Sequence, residues 1–298
     1  MERKNMFRRC IVGIVAAVML VSMVIPAMAA SAPENWPAKI RVGFIPTEGN
    51  ADIKKRFAPL TEHLRNILGI EVEAFSASDY AGIITAMAHQ HIDFAYFGPK
   101  SYVEASEKAG AQALVMELNK EKQPGYTGII IVRKDSDMMQ LDDIKGRVFA
   151  FTDPNSTSGY LVPNVLFVRD LKVKPEDYFK QVKFSGSHGA SILAVKNKAI
   201  EAAATNNIDL DRMIEKGQVA ADDFRILWRS ELIPGAPMAA RRDLPQSLKA
   251  AFTGAMLMFN ADKAGLEKLQ NGGYQYTDDS TYDIIRYLKR LKNELAAK

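Results

Sequence analysis

The stretch Asp153-Pro154-Asn155-Ser156-Thr157-Ser158-Gly159-Tyr160 lies between a short apolar run, residues 147–151, and a helix-like run, residues 161–171. This order predicts a strand-to-helix turn. The first amides of a helix lack intrahelical partners and carry partial positive charge, so such a turn can bind an oxyanion without lysine or arginine. Taken alone, the pattern favours an ordinary turn and helix cap. Because Pro163 cannot donate a backbone hydrogen bond, we expect the helix to begin near Ser158 or to be kinked.

Residues 1–29 have the pattern of an export signal. Four basic residues between positions 3 and 9 precede an apolar run, residues 11–25, and the small-x-small sequence Ala27-Met28-Ala29. We expect cleavage near Ala29 and a soluble periplasmic product. Because the only cysteine, Cys10, lies in the signal, the mature chain is expected to have no disulfide, thiol nucleophile or cysteine metal site.

The composition is that of an ordinary globular protein. The 298 residues are 47% hydrophobic and 25% charged, which suits one or two domains with ample core. The signal carries four basic residues and one acidic residue, so its removal lowers the formal net charge from +4 to about +1. Nothing in this charge indicates a nucleic-acid partner.

Strand and helix patterns alternate along the chain. Strands are predicted at residues 39–46, 70–75, 92–97, 128–132, 148–151 and 224–229, and helices at residues 53–68, from 78 onward, 141–146, 210–216, 244–260, 262–269 and 279–298. This alternation predicts an α/β protein with largely parallel sheets.

The order of elements repeats. Residues 184–193 align with residues 75–84 without a gap, and residues 200–204 align with 92–96 when one residue is dropped. We interpret this as two similarly built lobes, although chance similarity of two βα units is an open alternative. Lobe 1 is expected to comprise residues 30–124 and 232–298, and lobe 2 residues 125–231. Because open α/β sheets bind ligands at the carboxyl ends of their strands, facing lobes predict a cleft lined by strand-to-helix turns.

Several of these turns together resemble the phosphonate-type solute-binding proteins of ABC importers. The segments that carry the resemblance are Ser78-Asp79-Tyr80-Ala81-Gly82, Phe97-Gly98-Pro99-Lys100-Ser101, the stretch from Asp153 to Tyr160, Gly186-Ser187-His188 and Ala204-Thr205-Asn206-Asn207. The resemblance implies a type II periplasmic-binding-protein fold, with two α/β lobes, a ligand cleft between them and two hinge crossings. It also implies an extracytoplasmic receptor that closes its lobes on a small phosphorus oxyanion.

The resemblance further implies a set of ligand-binding residues. They are Tyr80, Tyr126, Ser156, Thr157, Ser158, His188 and Asp209, with Ser101 and Asn207 as additional candidates. Hydroxyl groups, an imidazole and a helix N-terminus can together hold a desolvated oxyanion.

Structural roles compete with these assignments. The alternative roles are an aromatic at a helix start for Tyr80, a packed hinge aromatic for Tyr126, a surface imidazole for His188 and a helix N-cap for Asp209. In the family, Asp209 matches a carboxylate that meets the amino group of aminoalkylphosphonates, and a second acid aligns with Ala236. The alanine favours a smaller ligand such as phosphite, methylphosphonate or phosphate.

We therefore predict a binding protein without catalytic residues, metal or cofactor, whose partners are the ligand and an ABC permease, and which is a monomer. His89 and His91 lack a third ligand at zinc spacing. Two other hypotheses remain: an exported enzyme on the same fold with His188 as base and a serine as nucleophile, and a ligand sensor for a membrane-bound partner. Against the enzyme, the chain has no Gly-x-Ser-x-Gly motif.

Overall fold

The computed structural model describes residue 33, residues 35–48 and residues 50–296. The predicted export signal and its cleavage site lie outside these described residues. Both β-sheets described below belong to one compact unit. Within the described part of the chain, no helix is long and apolar enough to cross a membrane.

The strands alternate with helices along most of the chain. The strands are β1 (Lys39–Phe44), β2 (Glu71–Ser76), β3 (Phe94–Tyr96), β4 (Gln112–Leu118), β5 (Gly125–Arg133), β6 (Val148–Phe151), β7 (Gln181–Phe184), β8 (Ala202–Asn206), β9 (Phe224–Pro234), β10 (Pro237–Ala240) and β11 (Gly273–Tyr276). The helices are α1 (Asn50–Leu68), α2 (Tyr80–Ala88), α3 (Pro99–Ala109), α4 (residues 157–170), α5 (Pro175–Tyr178), α6 (His188–Lys196), α7 (Asn207–Glu215), α8 (Gln246–Met258), α9 (Lys263–Leu269) and α10 (Asp283–Ala296). Short 3-10 turns occupy Leu141–Ile144, Ala221–Asp223, Phe259–Ala261 and Asp279–Tyr282.

The strands form two mixed sheets. The first has the order β11-β4-β10-β3-β1-β2, and the second has the order β7-β6-β8-β5-β9. The pairs β1–β2, β1–β3, β6–β7 and β6–β8 are parallel, as predicted from the alternation. The strands β4, β5, β9, β10 and β11 pair only antiparallel with their neighbours. The prediction of largely parallel sheets was therefore too simple.

The two halves repeat at an offset of 108 residues, as predicted for residues 92–96 and 200–204 but one residue less than predicted for residues 75–84 and 184–193. Helices α2 and α6 begin at Tyr80 and His188, and helices α3 and α7 begin at the same offset from each other. The residues Asp79 and Ser187 are the two N-caps, and each accepts a hydrogen bond from the amide three residues later. By its place in the helix, His188 corresponds to Tyr80, whereas the ungapped alignment had paired it with Asp79.

Helix α4 accommodates Pro163 by widening its turns. It begins at Thr157, and both its first and last segments have π-helical hydrogen bonding. The backbone N–H of Leu161, for example, donates to the Ser156 carbonyl at 3.1 Å. Pro163 has no N–H to offer the Gly159 carbonyl, which instead accepts from Thr152 N–H at 2.9 Å. The start expected near Ser158 is thus found at Thr157.

Each sheet has its own hydrophobic core. In the first, Phe94 stacks on Phe252 of α8 with ring centroids 3.8 Å apart, and both rings are fully buried. In the second, Phe149 stacks on Phe179 at 4.4 Å. Burial of each such ring stabilises its lobe by roughly 1.5–3 kcal/mol, so each lobe is held together from within.

The chain passes between the sheets twice. It enters the second sheet between β4 and β5, and returns between β9 and β10. Strand β9 stays in the second sheet as far as Pro234, beyond the lobe limit of 231 predicted from sequence. At the return, a Cβ on Gly235 would lie 2.2 Å from the backbone oxygen of Glu117, so only glycine permits this close approach of the two crossings.

The turn before α4 supplies a stability test. A Cβ on Gly159 would lie 2.2 Å from Thr152 Oγ1, whereas a Cβ on Gly254 in α8 meets no atom within 4 Å. We expect Gly159→Ala to lower the free energy of unfolding in urea by about 1–3 kcal/mol through overpacking. The control Gly254→Ala should leave it unchanged or raise it by about 0.5–1 kcal/mol, because alanine favours helix. Equal effects of the two substitutions would contradict the described packing.

Candidate functional site

A small cavity lies between the two sheets at the strand-to-helix turns. Its volume is about 40 Å³. The predicted site residues that line it are Tyr80, Tyr126, Ser156, Thr157, His188 and Asp209. The structure thus brings together residues from both lobes that are far apart in the sequence.

Five helices direct their N-termini toward this cavity. The first residues of α2 and α6, Tyr80 and His188, line it, and so do the N-caps of α3, α4 and α7, which are Gly98, Ser156 and Asn206. Each N-terminus carries unsatisfied N–H groups and about half a unit of positive charge. Their convergence makes the cavity suitable for an anion, although no lysine lines it among the described residues.

The hydroxyl of Ser156 is placed both to cap α4 and to contact a ligand in the cavity. Its Oγ accepts from Gly159 N–H at 3.0 Å, which is the helix-capping role. The same oxygen lies 3.4 Å from His188 Nε2 and lines the cavity. Since the cap uses the oxygen as acceptor, the hydroxyl hydrogen can still be donated to a ligand.

The next two hydroxyls differ in position. Thr157 Oγ1 lines the cavity and accepts from the backbone N–H of Lys100 in the other lobe at 2.8 Å. Ser158 is buried and does not line the cavity, but its Oγ has no hydrogen-bond partner among the described residues. Its donor role stays a prediction.

The two tyrosines present protonated hydroxyls. Tyr80 is 1% exposed, and its Oη has no hydrogen-bond partner among the described residues. Burial raises its pKa well above the usual range, and the nearby Asp209 and Asp153 add to the shift. Burial likewise raises the pKa of Tyr126, partly offset by the hydroxyls of Ser158 and Thr157. Both phenols are donors, and an unsatisfied buried donor of this kind indicates a ligand acceptor.

His188 is a buried imidazole, in contrast to the surface alternative. It is 3% exposed, with Nδ1 3.1 Å from Thr205 Oγ1 and 3.4 Å from Thr152 Oγ1. Burial lowers its pKa; the negative charge of Asp209 opposes this shift and Arg212 reinforces it. His188 is therefore neutral at pH 7 and presents Nε2 toward Ser156.

Asp209 belongs to a buried ion network and is not the helix cap. The N-cap of α7 is Asn206, whose Oδ1 accepts from Asp209 N–H at 2.7 Å and whose Nδ2 donates to Asp209 Oδ2 at 2.7 Å. Asp209 Oδ1 lies 3.4 Å from Arg212 Nη1, and Arg212 Nη2 donates to Glu117 Oε1 in the other lobe at 2.6 Å. Burial alone would raise the pKa of Asp209, but its interactions with His188 and Arg212 hold that pKa below the usual range.

The two additional candidates lie outside the cavity. Ser101 Oγ donates to the Gly98 carbonyl at 3.0 Å, within the first turn of α3. Asn207 Oδ1 accepts from Thr127 N–H at 2.8 Å. Both side chains are used for local structure, and neither lines the cavity.

Sequence reasoning did not name five polar cavity residues as ligand-binding: Thr47, Tyr96, Glu117, Asn206 and Arg212. Thr47 Oγ1 is buried without a partner among the described residues, and Tyr96 Oη donates to Glu117 Oε2 at 2.5 Å. One available signal was the spacing of Arg212, three residues after Asp209, which places both on one face of α7. Glu117 gave a weaker signal, because it ends a strand that the sequence analysis did not predict.

Comparison with known proteins identifies the family. The family model for periplasmic substrate-binding proteins of phosphonate ABC transporters matches residues 42–282. The chain belongs to this family. It is 30% identical over 272 residues to the phosphonates-binding periplasmic protein of Escherichia coli strain K12, covering 89% of this chain and 80% of the relative. It is 31% identical over 268 residues to the phosphate-import protein PhnD of Mycolicibacterium smegmatis, covering 85% and 82%. The resemblance stated from the sequence is thereby confirmed.

Solved structures confirm the type II periplasmic-binding-protein fold. A binding protein component of an ABC phosphonate transporter from Pseudomonas aeruginosa aligns with a TM-score of 0.82 and 32% identity over 87% of each chain. PhnD1 from Prochlorococcus marinus, in complex with methylphosphonate, aligns with a TM-score of 0.78 and 22% identity over 86% of this chain and 99% of that one, which shows a shared fold. The chain is thus a periplasmic-type solute-binding component of an ABC importer.

The buried His188 predicts a specific pH dependence of stability. An unfolded histidine has a pKa of about 6.5, and burial lowers the folded value. As pH falls below about 6.5, this histidine binds a proton in the unfolded state more readily than in the folded state. The free energy of unfolding therefore declines. Melting temperatures measured between pH 7.5 and 5.5 should therefore fall more steeply for the wild type than for His188→Gln.

His91→Gln is the control, since it replaces an exposed histidine outside the cavity. It should keep the wild-type pH curve. A curve for His188→Gln that parallels the wild type would show that His188 is not held neutral by burial.

Proposed function

We propose that the cavity binds a small phosphorus oxyanion, namely phosphate, phosphite or methylphosphonate, and that the protein delivers it to a membrane permease. The observation that carries this proposal is the convergence of five helix N-termini on a cavity whose tyrosine, serine and threonine hydroxyls come from both lobes. The names of the phosphonates-binding and phosphate-import relatives support the same ligand class.

Charge compensation supports an oxyanion held mainly by neutral groups. The one cationic side chain of the described cavity lining, Arg212, is already engaged by Glu117 and Asp209. Neutral donors and helix N-termini remain to meet the ligand oxygens, and in a buried site such preorganised dipoles act at low dielectric. Selectivity then comes from geometry and from hydrogen-bond matching.

Acceptors in the cavity favour phosphorus over sulfur oxyanions. Asp209, Glu117 and the unprotonated His188 are acceptors of the lining. A phosphate or phosphonate monoanion carries an O–H that can donate to such a group, whereas sulfate carries no proton near pH 7 and meets only repulsion there. We therefore expect sulfate to be rejected.

Bonds between the lobes support binding by lobe closure. Lys100 N–H reaches Thr157 Oγ1, Gly189 N–H donates to the Thr47 carbonyl at 3.2 Å, and Arg212 reaches Glu117. All three would break if the lobes separated. Closure would bury the ligand and form the surface that the permease recognises, with the two crossings as hinge. We further propose that the protein works as a monomer in the periplasm after cleavage near Ala29.

The enzyme hypothesis has one observation in its favour. Ser156 Oγ and His188 Nε2 are 3.4 Å apart, as a nucleophile and base would be. The other nitrogen of His188 faces the hydroxyls of Thr205 and Thr152, however, and not a carboxylate that could stabilise an imidazolium. The geometry therefore favours a receptor. Release of product from a chromogenic phosphate or acyl ester in a single-turnover assay would reverse this preference.

A melting-temperature screen tests the proposed function. The mature protein should be stabilised by phosphate, phosphite or methylphosphonate, because a ligand that binds only the folded state raises stability by mass action. At a concentration of 100 times Kd the gain is about 2.7 kcal/mol. Sulfate is the control and should give no shift. The absence of a shift with every phosphorus oxyanion would contradict the proposal.

A comparison of two N-cap serines distinguishes ligand binding from helix capping. Ser156 and Ser187 both accept from the amide three residues later, at 3.0 and 3.1 Å, but only Ser156 lines the cavity. We expect Ser156→Ala and Ser187→Ala each to lose about 1 kcal/mol of stability through the missing cap. In calorimetry with the ligand found by the screen, only Ser156→Ala should lose affinity, by about tenfold or more. Equal affinities of the two variants would remove Ser156 from the site.

A further inference from the structure

The ion network of Asp209, Arg212 and Glu117 forms one wall of the cavity. All three side chains are at most 5% exposed, and all three residues line the cavity. Arg212 lies between the two carboxylates, with Nη2 2.6 Å from Glu117 Oε1 and Nη1 3.4 Å from Asp209 Oδ1. Glu117 lies on β4 in the first sheet, whereas Asp209 and Arg212 lie on α7 beside the second sheet. The network therefore spans the two lobes.

Every carboxylate oxygen of this network already has a partner. Asp209 Oδ2 accepts from Asn206 and Oδ1 faces Arg212. Glu117 Oε1 accepts from Arg212 and Oε2 accepts from Tyr96 Oη at 2.5 Å. A ligand ammonium near either carboxylate would compete with these groups for the carboxylate oxygens and would lie close to a guanidinium inside a poorly solvated space.

Arg212 also has one side-chain N–H that no described residue accepts. Its Nε is buried and has no hydrogen-bond partner among the described residues. An N–H of this kind suits a ligand acceptor, and it disfavours another donor such as an ammonium. Ala236, which also lines the cavity, adds no charge.

We propose that Arg212 determines specificity at this site by pairing with both Asp209 and Glu117 and filling the space between them, so that the protein selects phosphorus oxyanions whose substituent is small and uncharged and rejects those bearing an ammonium. This inference rests on the proposed function and narrows its ligand class. Arg212 thereby occupies the position between the two carboxylates that a cationic substituent would otherwise take.

The test compares two ligands of equal size that differ in charge. Ethylphosphonate and aminomethylphosphonate have the same number of heavy atoms, and one ends in a methyl group where the other ends in an ammonium. Calorimetry with the mature wild-type protein should show ethylphosphonate binding at least tenfold more tightly. Equal affinity, tighter binding of aminomethylphosphonate, or no binding of either ligand would overturn the proposal, the last because size alone would then account for the exclusion.

The variant Arg212→Ala should reverse this preference. Without the guanidinium, the ligand ammonium can pair with Asp209 and Glu117, so aminomethylphosphonate should bind at least tenfold more tightly than ethylphosphonate. A folded variant that still prefers ethylphosphonate would contradict the role of Arg212. Removal of one partner from a buried ion network destabilises a protein, so if the variant does not fold, the wild-type comparison decides alone.

Lys216→Ala is the matched control. Lys216 follows α7 and also pairs across the lobes, with its Nζ 2.5 Å from Glu48 Oε2, but it does not line the cavity. It should keep the wild-type order of affinities for the two ligands; a reversed order would assign the effect to lobe contacts in general.

Methylphosphonate serves as the reference ligand in every titration. If it fails to bind the wild type, the proposed function fails; if it binds while the ligand pair behaves otherwise than expected, only the inference about Arg212 fails.

Discussion

The convergence of helix N-termini on one small space is the constraint on which the rest of the structure depends. Each N-terminus leaves N–H groups unsatisfied, and a buried cluster of such groups is costly unless an anion or caps satisfy it. The two-lobe fold brings the termini together because α2, α3, α6 and α7 each follow a strand of a parallel pair, and the carboxyl ends of those strands face the cleft. The Asp79, Ser156, Ser187 and Asn206 caps satisfy part of the cluster.

The buried charges of the site pair with one another, and this pairing shapes what the cavity can accept. Arg212 pairs with two carboxylates, while Arg56, 5% exposed, lies 3.4 Å from Glu48, which also pairs with Lys216. A buried ion network contributes little net stability, since desolvation of its members offsets their attraction. Here the network sets the charge at the cavity wall and joins the lobes when they are closed.

The sequence predicted the fold where apolar periodicity was clear and failed where the buried face is polar. Helix α1 and strand β2 were found within a few residues. Helix α3 was missed because its buried face includes Lys100, Ser101 and Glu104, which an apolar pattern does not reveal. Arg212 was missed for the same reason, since the charges of α7 gave no sign of burial. The turn at Ser156 suggested only a cap by itself, and its role in a site emerged from the other strand ends that meet it.

A crystal structure of the mature protein with methylphosphonate tests the central claim most directly. The account predicts the phosphorus atom inside the cavity, with the ligand oxygens within hydrogen-bond distance of Tyr80 Oη, Ser156 Oγ, Thr157 and His188 Nε2, and with the Arg212–Glu117 pair intact. Ligand density on an exposed cationic surface, or an Arg212 that leaves Glu117 to bind the phosphonate, would contradict it.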